Sequence, residues 1–321
     1  MKLLITGGCG FVGSNFARHM LEKGHDVIIL DNMSRPGSEI NLKLMQKDFP
    51  NLTYHRRELD DIQELLQKID VDLIYHFAAQ VAVTQSYQSP KSDFRVNASG
   101  TFNLVSSTDV PVIFASTNKV YGDNVNEVPL IEQDTRYDFD GEFGKKGIPE
   151  SFSIDAKKHT PYGVSKLTGE MYVREFNGVA NRFSCMYGES QFGTVDQGWV
   201  SHFVISKLKN MPLTIYGDGK QVRDLLYIKD VCRLLELQGN NIDKIKGEVF
   251  NIGGGFDKTI SLLELCKLLD IKPDFADWRP ADQKVYYSDI TKAERVLGWK
   301  PEVGVEQGIE NMSNWIKENI N

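Results

Sequence analysis

An α/β fold, built as a doubly wound parallel sheet with a smaller mixed lobe at the C-terminal end, is what this sequence predicts from three observations. Short apolar runs alternate with helical patterns through the first half, those runs are apolar on both faces, and a glycine cluster follows directly on the first of them. Unbroken rather than alternating hydrophobicity marks strands covered on both sides, as in a parallel sheet whose crossovers are helices. The length of 321 residues fits one elaborate domain or two.

Taken in order, residues 2–6, 27–30, 73–77 and 112–115 read as buried strands, and residues 12–23, 62–69 and 92–107 as the helices between them. Repeated strand–helix–strand units place ligands at the carboxyl ends of the strands. From residue 122 to 160 Gly, Pro, Asp and Lys interrupt every period, and a stretch of that length in a compact protein is expected to be an active-site flap. Helical periodicity returns at residues 162–176. Beyond it the elements are shorter and more mixed, with turns at 217–219 and 253–255 and helical segments at 261–269 and 305–316. Residues 1–180, with a contribution from about 223–253, are expected to form the first domain, and residues 181–321 a lobe that closes over it.

Composition narrows the function classes. Hydrophobic residues make up 41% and charged residues 25%, which excludes a disordered or collagen-like chain. Lys and Arg number 37 against 44 Asp and Glu, a net charge of −7, so no broad basic face exists for nucleic acid. The four cysteines (Cys9, Cys185, Cys232, Cys266) lie far apart without a CxxC spacing, which argues against a disulfide framework or structural zinc. The six histidines do not fall at metal-ligand spacing, and no metal site is expected. No apolar run approaches the roughly 18 residues of a membrane span, and Gly7 and Gly8 arrive too soon for a signal-peptide core. The expected location is the cytoplasm.

The first strand runs into Gly7-Gly8-Cys9-Gly10-Phe11-Val12-Gly13 and then a helix. Glycines at 7, 10 and 13 permit a tight turn, leave room for a diphosphate, and let helix and strand pack closely. The helix N-terminus then offers backbone N–H groups and a positive dipole end to the phosphates. A second strand ends at Asp31, eighteen residues beyond Gly13, where an acid accepts from both adenosine ribose hydroxyls. This is the Rossmann arrangement, and Asp31 repels a 2′-phosphate, which favours NAD over NADP. Arg35, close by, pulls the other way. Cys9 reads as a small packing residue in this loop.

Tyr-x-x-x-Lys occurs three times, at Tyr87/Lys91, Tyr162/Lys166 and Tyr216/Lys220. Pro90 interrupts the first, and Gly217-Asp218-Gly219 fills the third with turn residues. Only Tyr162/Lys166 opens a periodic helical stretch, so both side chains share one face. A free phenol, with a pKa near 10, is a feeble base at neutral pH. An adjacent ammonium and a positive nicotinamide favour its ionised form, which makes removal of a sugar hydroxyl proton feasible. Thr117 stands at the end of the strand at 112–115, able to donate to the oxygen that becomes a carbonyl.

The glycine loop, Asp31, Ser116-Thr117, Tyr162/Lys166 and the later Tyr216-Gly-Asp-Gly-Lys-Gln-Val-Arg-Asp together resemble the extended short-chain dehydrogenase/reductase family acting on nucleotide sugars. The likeness covers nearly the whole chain. Four stretches narrow it: His76-Phe-Ala-Ala-Gln80-Val-Ala, Ser116-Thr-Asn-Lys-Val-Tyr-Gly-Asp123, Met186-Tyr-Gly, and Gln191-Phe-Gly-Thr-Val-Asp-Gln-Gly-Trp-Val200. They most resemble members that invert C2 of a CDP-linked sugar.

The resemblance implies a retained NAD⁺ and a transient 2-keto sugar, with Thr117, Tyr162 and Lys166 catalytic. It implies cofactor contacts from Gly7, Gly10, Phe11, Val12, Gly13, Asp31, Asn32, Glu58, Leu59, Ala78, Ala79, Gln80, Asn97 and Ser116, beside Tyr162 and Lys166. It implies substrate contacts from Gln80, Thr117, Asn118, Gln197, Trp199, Val200, Tyr216 and Gln221, with Arg223 and Arg279 as a diphosphate clamp and Tyr216 packing on the base. It also implies a homo-oligomer, a dimer or tetramer. Sugar-nucleotide 4,6-dehydratases of the family typically follow the catalytic threonine with Asp-Glu, where this chain has Asn118 and Lys119. Arg57-Glu58-Leu59 replaces a common Gly-Asp-Ile, and the segments at 106–111 and 176–182 are shorter than usual. Alternatives left open are an epimerase of C4 or of another nucleotide sugar, and a non-catalytic NAD-sensing protein.

Overall fold

The computed structural model describes residues 1–279 and 281–320. Its centre is a seven-stranded sheet in which every pairing is parallel. We label the first five strands β1 (Lys2–Thr6), β2 (Asp26–Asp31), β3 (Thr53–Arg56), β4 (Leu73–His76) and β5 (Val112–Thr117). Across the sheet the order is β3, β2, β1, β4, β5, then Val179–Phe183, then Val249–Ile252. The chain therefore reverses direction of travel between β1 and β4, and the crevice beyond those two strand ends is where such a sheet binds ligands.

Alternation along each strand feeds two cores. Leu3 and Ile5 of β1 point into one, with Phe16, Ala17 and Met20 of the first helix, whereas Leu4 joins Ile28, Leu30 and Phe114 in the other. The first helix, α1 (Phe11–Glu22), packs with Ile228–Asn240 on the first of these faces. On the opposite face a broken helical run lies over the sheet: Pro90–Asp93, a π-helical turn at Phe94–Ser99, and Gly100–Val105. Helix Pro161–Glu175 is packed beside it.

The strand Val179–Phe183 spans residue 180, Val249–Ile252 joins the sheet at its edge, and Ile228–Asn240 packs on its face. The second lobe is mixed. Its central strand Val222–Tyr227 pairs antiparallel with Thr259–Ser261 and parallel with both Val285–Tyr286 and Cys185–Tyr187. A separate parallel pair joins Thr214–Tyr216 to Asp274–Ala276.

The segment 122–160 differs from its expected role. It forms a short hairpin, Leu130–Glu132 with Tyr137–Phe139, and packs Val125, Tyr137, Phe139 and Ile148 around Tyr286 and Tyr287 of the second lobe. None of its residues lines either cavity described below. The interrupted periodicity is that of a buttress tied down residue by residue through tyrosines, and such packing needs no repeat.

Candidate active site

A cavity of about 670 Å³ opens at the β1/β4 crevice. At its floor Gly7 has a φ of +67°, and a Cβ there would meet the Ala78 nitrogen at 2.6 Å. A Cβ on Gly13 would stand 2.2 Å from the Gly7 carbonyl oxygen, so helix and turn touch only because both positions are glycine. Helix α1 begins at Gly10 with no capping side chain and no acid in its first turn. Its leading N–H groups face the cavity beside Phe11, Val12 and Gly13, the arrangement that receives a diphosphate.

Asp31 is buried at the end of β2 and lines the same cavity. Its carboxylate accepts from the backbone N–H groups of Met33, at 2.8 Å, and Cys9, at 3.0 Å. Burial nevertheless holds its pKa above the usual carboxylate value, with those amides pulling it down. A dehydrated acceptor fixed in this way suits a pair of ribose hydroxyls. Asn32, Glu58, Leu59, Ala78, Ala79 and Gln80 complete the wall, Asn32 donating to both Glu58 oxygens at 3.1 Å. Cys9 is buried, and burial raises its thiol far above the usual range, so it packs and does not react.

Helix Pro161–Glu175 starts from Thr160, whose hydroxyl accepts from the Gly163 N–H at 2.9 Å, with proline at its first position. That cap fixes the turn carrying Tyr162. Thr117, at the end of β5, stands close to the Tyr162 phenol, and both line the cavity with Ser116 and Lys166. Burial pushes the phenol up to about 12, the Thr117 hydroxyl pulling it down and the Asp93 carboxylate adding to the rise. The Lys166 ammonium sits 4.0 Å from the Phe114 ring centroid, and burial lowers its pKa to about 7, against the pull of Glu170 and Asp93. The expected lowering of the phenol by this ammonium is thus not what governs here: desolvation dominates both groups.

One helical turn on from Lys166 lies Glu170, fully buried. It accepts from the Ser116 hydroxyl at 2.6 Å and from the Arg182 guanidinium at 2.6 Å. Arg182 continues to the Tyr121 hydroxyl at 3.0 Å, and Tyr121 to Asn251 at 2.7 Å. This chain of buried polar groups joins β5, the Tyr162 helix and the edge of the sheet.

A second cavity of about 270 Å³ adjoins the first, and Gln197, Gly198 and Trp199 line both. Around it stand Lys119, His202, Tyr216, Gln221, Arg223 and Arg279. Arg223 donates to Asp282 at 2.8 Å, and Arg279 lies 4.0 Å from the Tyr216 ring centroid. Gln221 is buried and donates to the Tyr216 carbonyl at 2.6 Å, leaving its own carbonyl oxygen without a protein partner. The Trp199 indole donates to the Cys185 sulfur at 2.9 Å.

The family described as GDP-mannose 4,6 dehydratase matches residues 4–312. The chain belongs to that family. Within it, the chain is 39% identical to CDP-paratose 2-epimerase from Salmonella typhi, over 98% of this chain and 99% of that one. It is 34% identical to a putative UDP-glucose 4-epimerase from Methanocaldococcus jannaschii, over 99% of each. Among solved structures, UDP-glucuronic acid 4-epimerase from Bacillus cereus, in complex with UDP-glucuronic acid and NAD, superposes with a TM-score of 0.82 at 27% identity, covering 99% of each chain.

Three residues for which the family resemblance implied contacts lie outside both cavities. Asn97 is fully buried in the π-helical turn, where its amide exchanges hydrogen bonds of 2.9 Å with the Gln80 backbone and donates to the Ser165 hydroxyl at 3.0 Å. It positions Gln80 and the Tyr162 helix. Asn118 is buried, its amide oxygen accepting from the Thr117 hydroxyl at 3.4 Å, and Val200 is buried on helix Trp199–Leu208. Conversely, Arg35, Arg95, Lys119 and His202 line the cavities without having been assigned contacts. Lys119 carried a signal, standing two residues past Thr117 at a strand end, whereas Arg95 and His202 are brought in by tertiary packing alone. Among the described residues no cluster of His, Cys, Asp or Glu could hold a metal ion, and no helix is long and apolar enough to cross a membrane.

Proposed function

We propose that this family member epimerises C2 of a nucleotide-linked sugar, interconverting CDP-paratose and CDP-tyvelose. The observation that carries the reading is the meeting of the two cavities: Thr117 and Tyr162 face the dinucleotide crevice, and Gln197–Trp199 form the wall it shares with the cationic pocket. The cofactor is NAD, which when bound accepts a hydride from the sugar carbon and returns it.

The chain's own residues do the rest. Tyr162 takes the hydroxyl proton of that carbon and later gives it back, and Thr117 holds the same oxygen by hydrogen bonding. Since burial holds the Tyr162 phenol near 12 in the protein alone, a positive charge brought beside it must lower that value for proton removal to proceed at neutral pH. The keto sugar turns between the two transfers, and a wall of Phe183, Cys185, Met186 and Trp199 surrounds that space. With the Trp199 indole and the Cys185 sulfur bonded to each other, this wall offers few polar groups and suits a deoxygenated sugar face. Enclosure makes recapture efficient, because neither partner leaves. Incubation with CDP-paratose or CDP-tyvelose, followed by NMR, tests the reading; absence of interconversion of both rejects the substrate.

A second reading, epimerisation at C4, draws on the similarity to the Methanocaldococcus jannaschii protein. Deuterium from labelled NADH held in the enzyme, found at C4 alone, selects it. We also infer a homo-oligomer, a second copy covering the exposed Phe94, Phe102, Met171 and Tyr172 on adjacent helices. Sedimentation of the purified protein gives the number of subunits. The four cysteines are free, which accords with a reducing cytoplasm.

A further inference from the structure

We infer that Lys119 is a substrate-contacting residue that grips the sugar-proximal phosphate of a nucleoside diphosphate sugar, the pivot about which the keto sugar turns. The inference rests on the nucleotide-sugar reading above and adds a residue to it.

Its backbone lies between the Thr117 hydroxyl and the first turn of the helix that carries Tyr162. The Lys119 N–H donates to the Thr117 hydroxyl at 3.2 Å. The Lys119 carbonyl oxygen lies where it would stand 2.6 Å from a Cβ on Gly163, the residue after Tyr162. From that origin the side chain leaves the reaction site and lines the neighbouring cavity together with Arg223 and Arg279. A linear molecule with its sugar at Thr117 and Tyr162 and its base near Tyr216 must therefore pass Lys119 first. The first anionic group it presents there is the phosphate attached to the sugar.

The charge arrangement agrees. Of the three cationic side chains lining this cavity among the described residues, Arg223 is bonded to the Asp282 carboxylate at 2.8 Å, and Arg279 has Asp196 at 3.8 Å. Lys119 is bonded to a neutral acceptor, the Gln283 carbonyl oxygen, at 2.8 Å. Burial, with the nearby Arg223 charge adding to it and the Asp282 carboxylate opposing, lowers the ammonium to about 8. A phosphate oxygen supplies that anion and forms a charge-assisted hydrogen bond.

The test uses NAD-loaded protein and calorimetric titration with CDP and with CMP, which lacks the sugar-proximal phosphate. Lys119→Met is expected to weaken CDP by about 10- to 100-fold, the range for a hydrogen bond to a charged group, and to leave CMP within about twofold. Lys119→Arg is expected to restore most of the CDP affinity. Lys119→Gln serves the same comparison should the methionine variant not fold. Equal CDP affinity in wild type and variant, or an equal loss for CDP and CMP, overturns the assignment while leaving the nucleotide-sugar reading in place. A wild-type protein that binds neither CDP nor UDP overturns both.

Discussion

The two cavities differ in what builds them. The larger one is made of backbone: strand ends, glycine turns and the leading amides of one helix, with Asp31 held by two further N–H groups. The smaller one is made of side chains, drawn from residues 83–84, 119, 195–199, 202–203, 214–216, 221, 223, 262, 279 and 281–282. A backbone site has fixed spacing along the chain, because the sheet and the turn dictate it. A side-chain site has none, because any element that reaches the space can contribute. The first therefore resists redesign and the second invites it, which is how one scaffold serves many sugars.

The comparison sharpens most at the place where the cavities meet. Replacing Tyr162 by Phe is expected to lower kcat by about 10²- to 10⁴-fold, the usual span for a proton-transfer group, while NAD content after purification is unchanged. Retention of more than a tenth of the activity would break the proposed chemistry.

Next in size is Glu170→Gln. It leaves the Arg182 guanidinium buried without its carboxylate, and breaking such a pair costs about 3–5 kcal/mol. Urea unfolding should show a lower midpoint with an unchanged slope. A shift within experimental error would mean that Arg182 finds other partners.

Arg223→Met addresses the side-chain cavity alone. We expect KM for the nucleotide sugar to rise by about 10- to 100-fold through loss of charged hydrogen bonds, with NAD retention intact. Equal losses of sugar and NAD binding would contradict the division drawn above.

The smallest effect belongs to the backbone half. His76, fully buried at the end of β4 between Thr6 and Thr101, has its pKa lowered by burial from 6.5 to about 3. The unfolded chain binds a proton there below pH 6.5 and the folded chain does not, so stability falls as pH falls through that value. Between pH 6.5 and 5.5 the loss amounts to about 1 kcal/mol. Thermal melts should show the wild-type Tm falling more steeply than that of His76→Asn between pH 6.5 and 5.5; equal slopes would remove His76 as the source.

Legibility in the sequence follows the same division. The strands at 2–6 and 112–115, the glycine loop and the Tyr162 helix were readable because local pattern and tertiary role coincide. The structure gives them as Lys2–Thr6, Val112–Thr117 and Pro161–Glu175. Helices Trp199–Leu208 and Ile228–Asn240 are not legible in the sequence; the first is apolar nearly all round, and the second covers the sheet from a place in the chain far beyond the strands it packs on. Asn97 was assigned to the cofactor by likeness, yet its amide is spent on Gln80 and Ser165. The stretch 122–160 looked like a flap because broken periodicity reads the same whether a segment hangs free or is pinned by Tyr286 and Tyr287. Only long-range contacts separate those cases.

The partition at Gln197–Trp199 has a consequence for how variants of this enzyme behave. It belongs to both compartments, and Arg35 from the loop after β2 ties Gln197 to the dinucleotide side. A party wall cannot be moved for one room only. Substitutions there will alter the grip on coenzyme and carbohydrate in step, so an evolving lineage that trades one sugar for another finds its freedom farther out, beside Tyr216 and Arg279, and not at this membrane-thin divide.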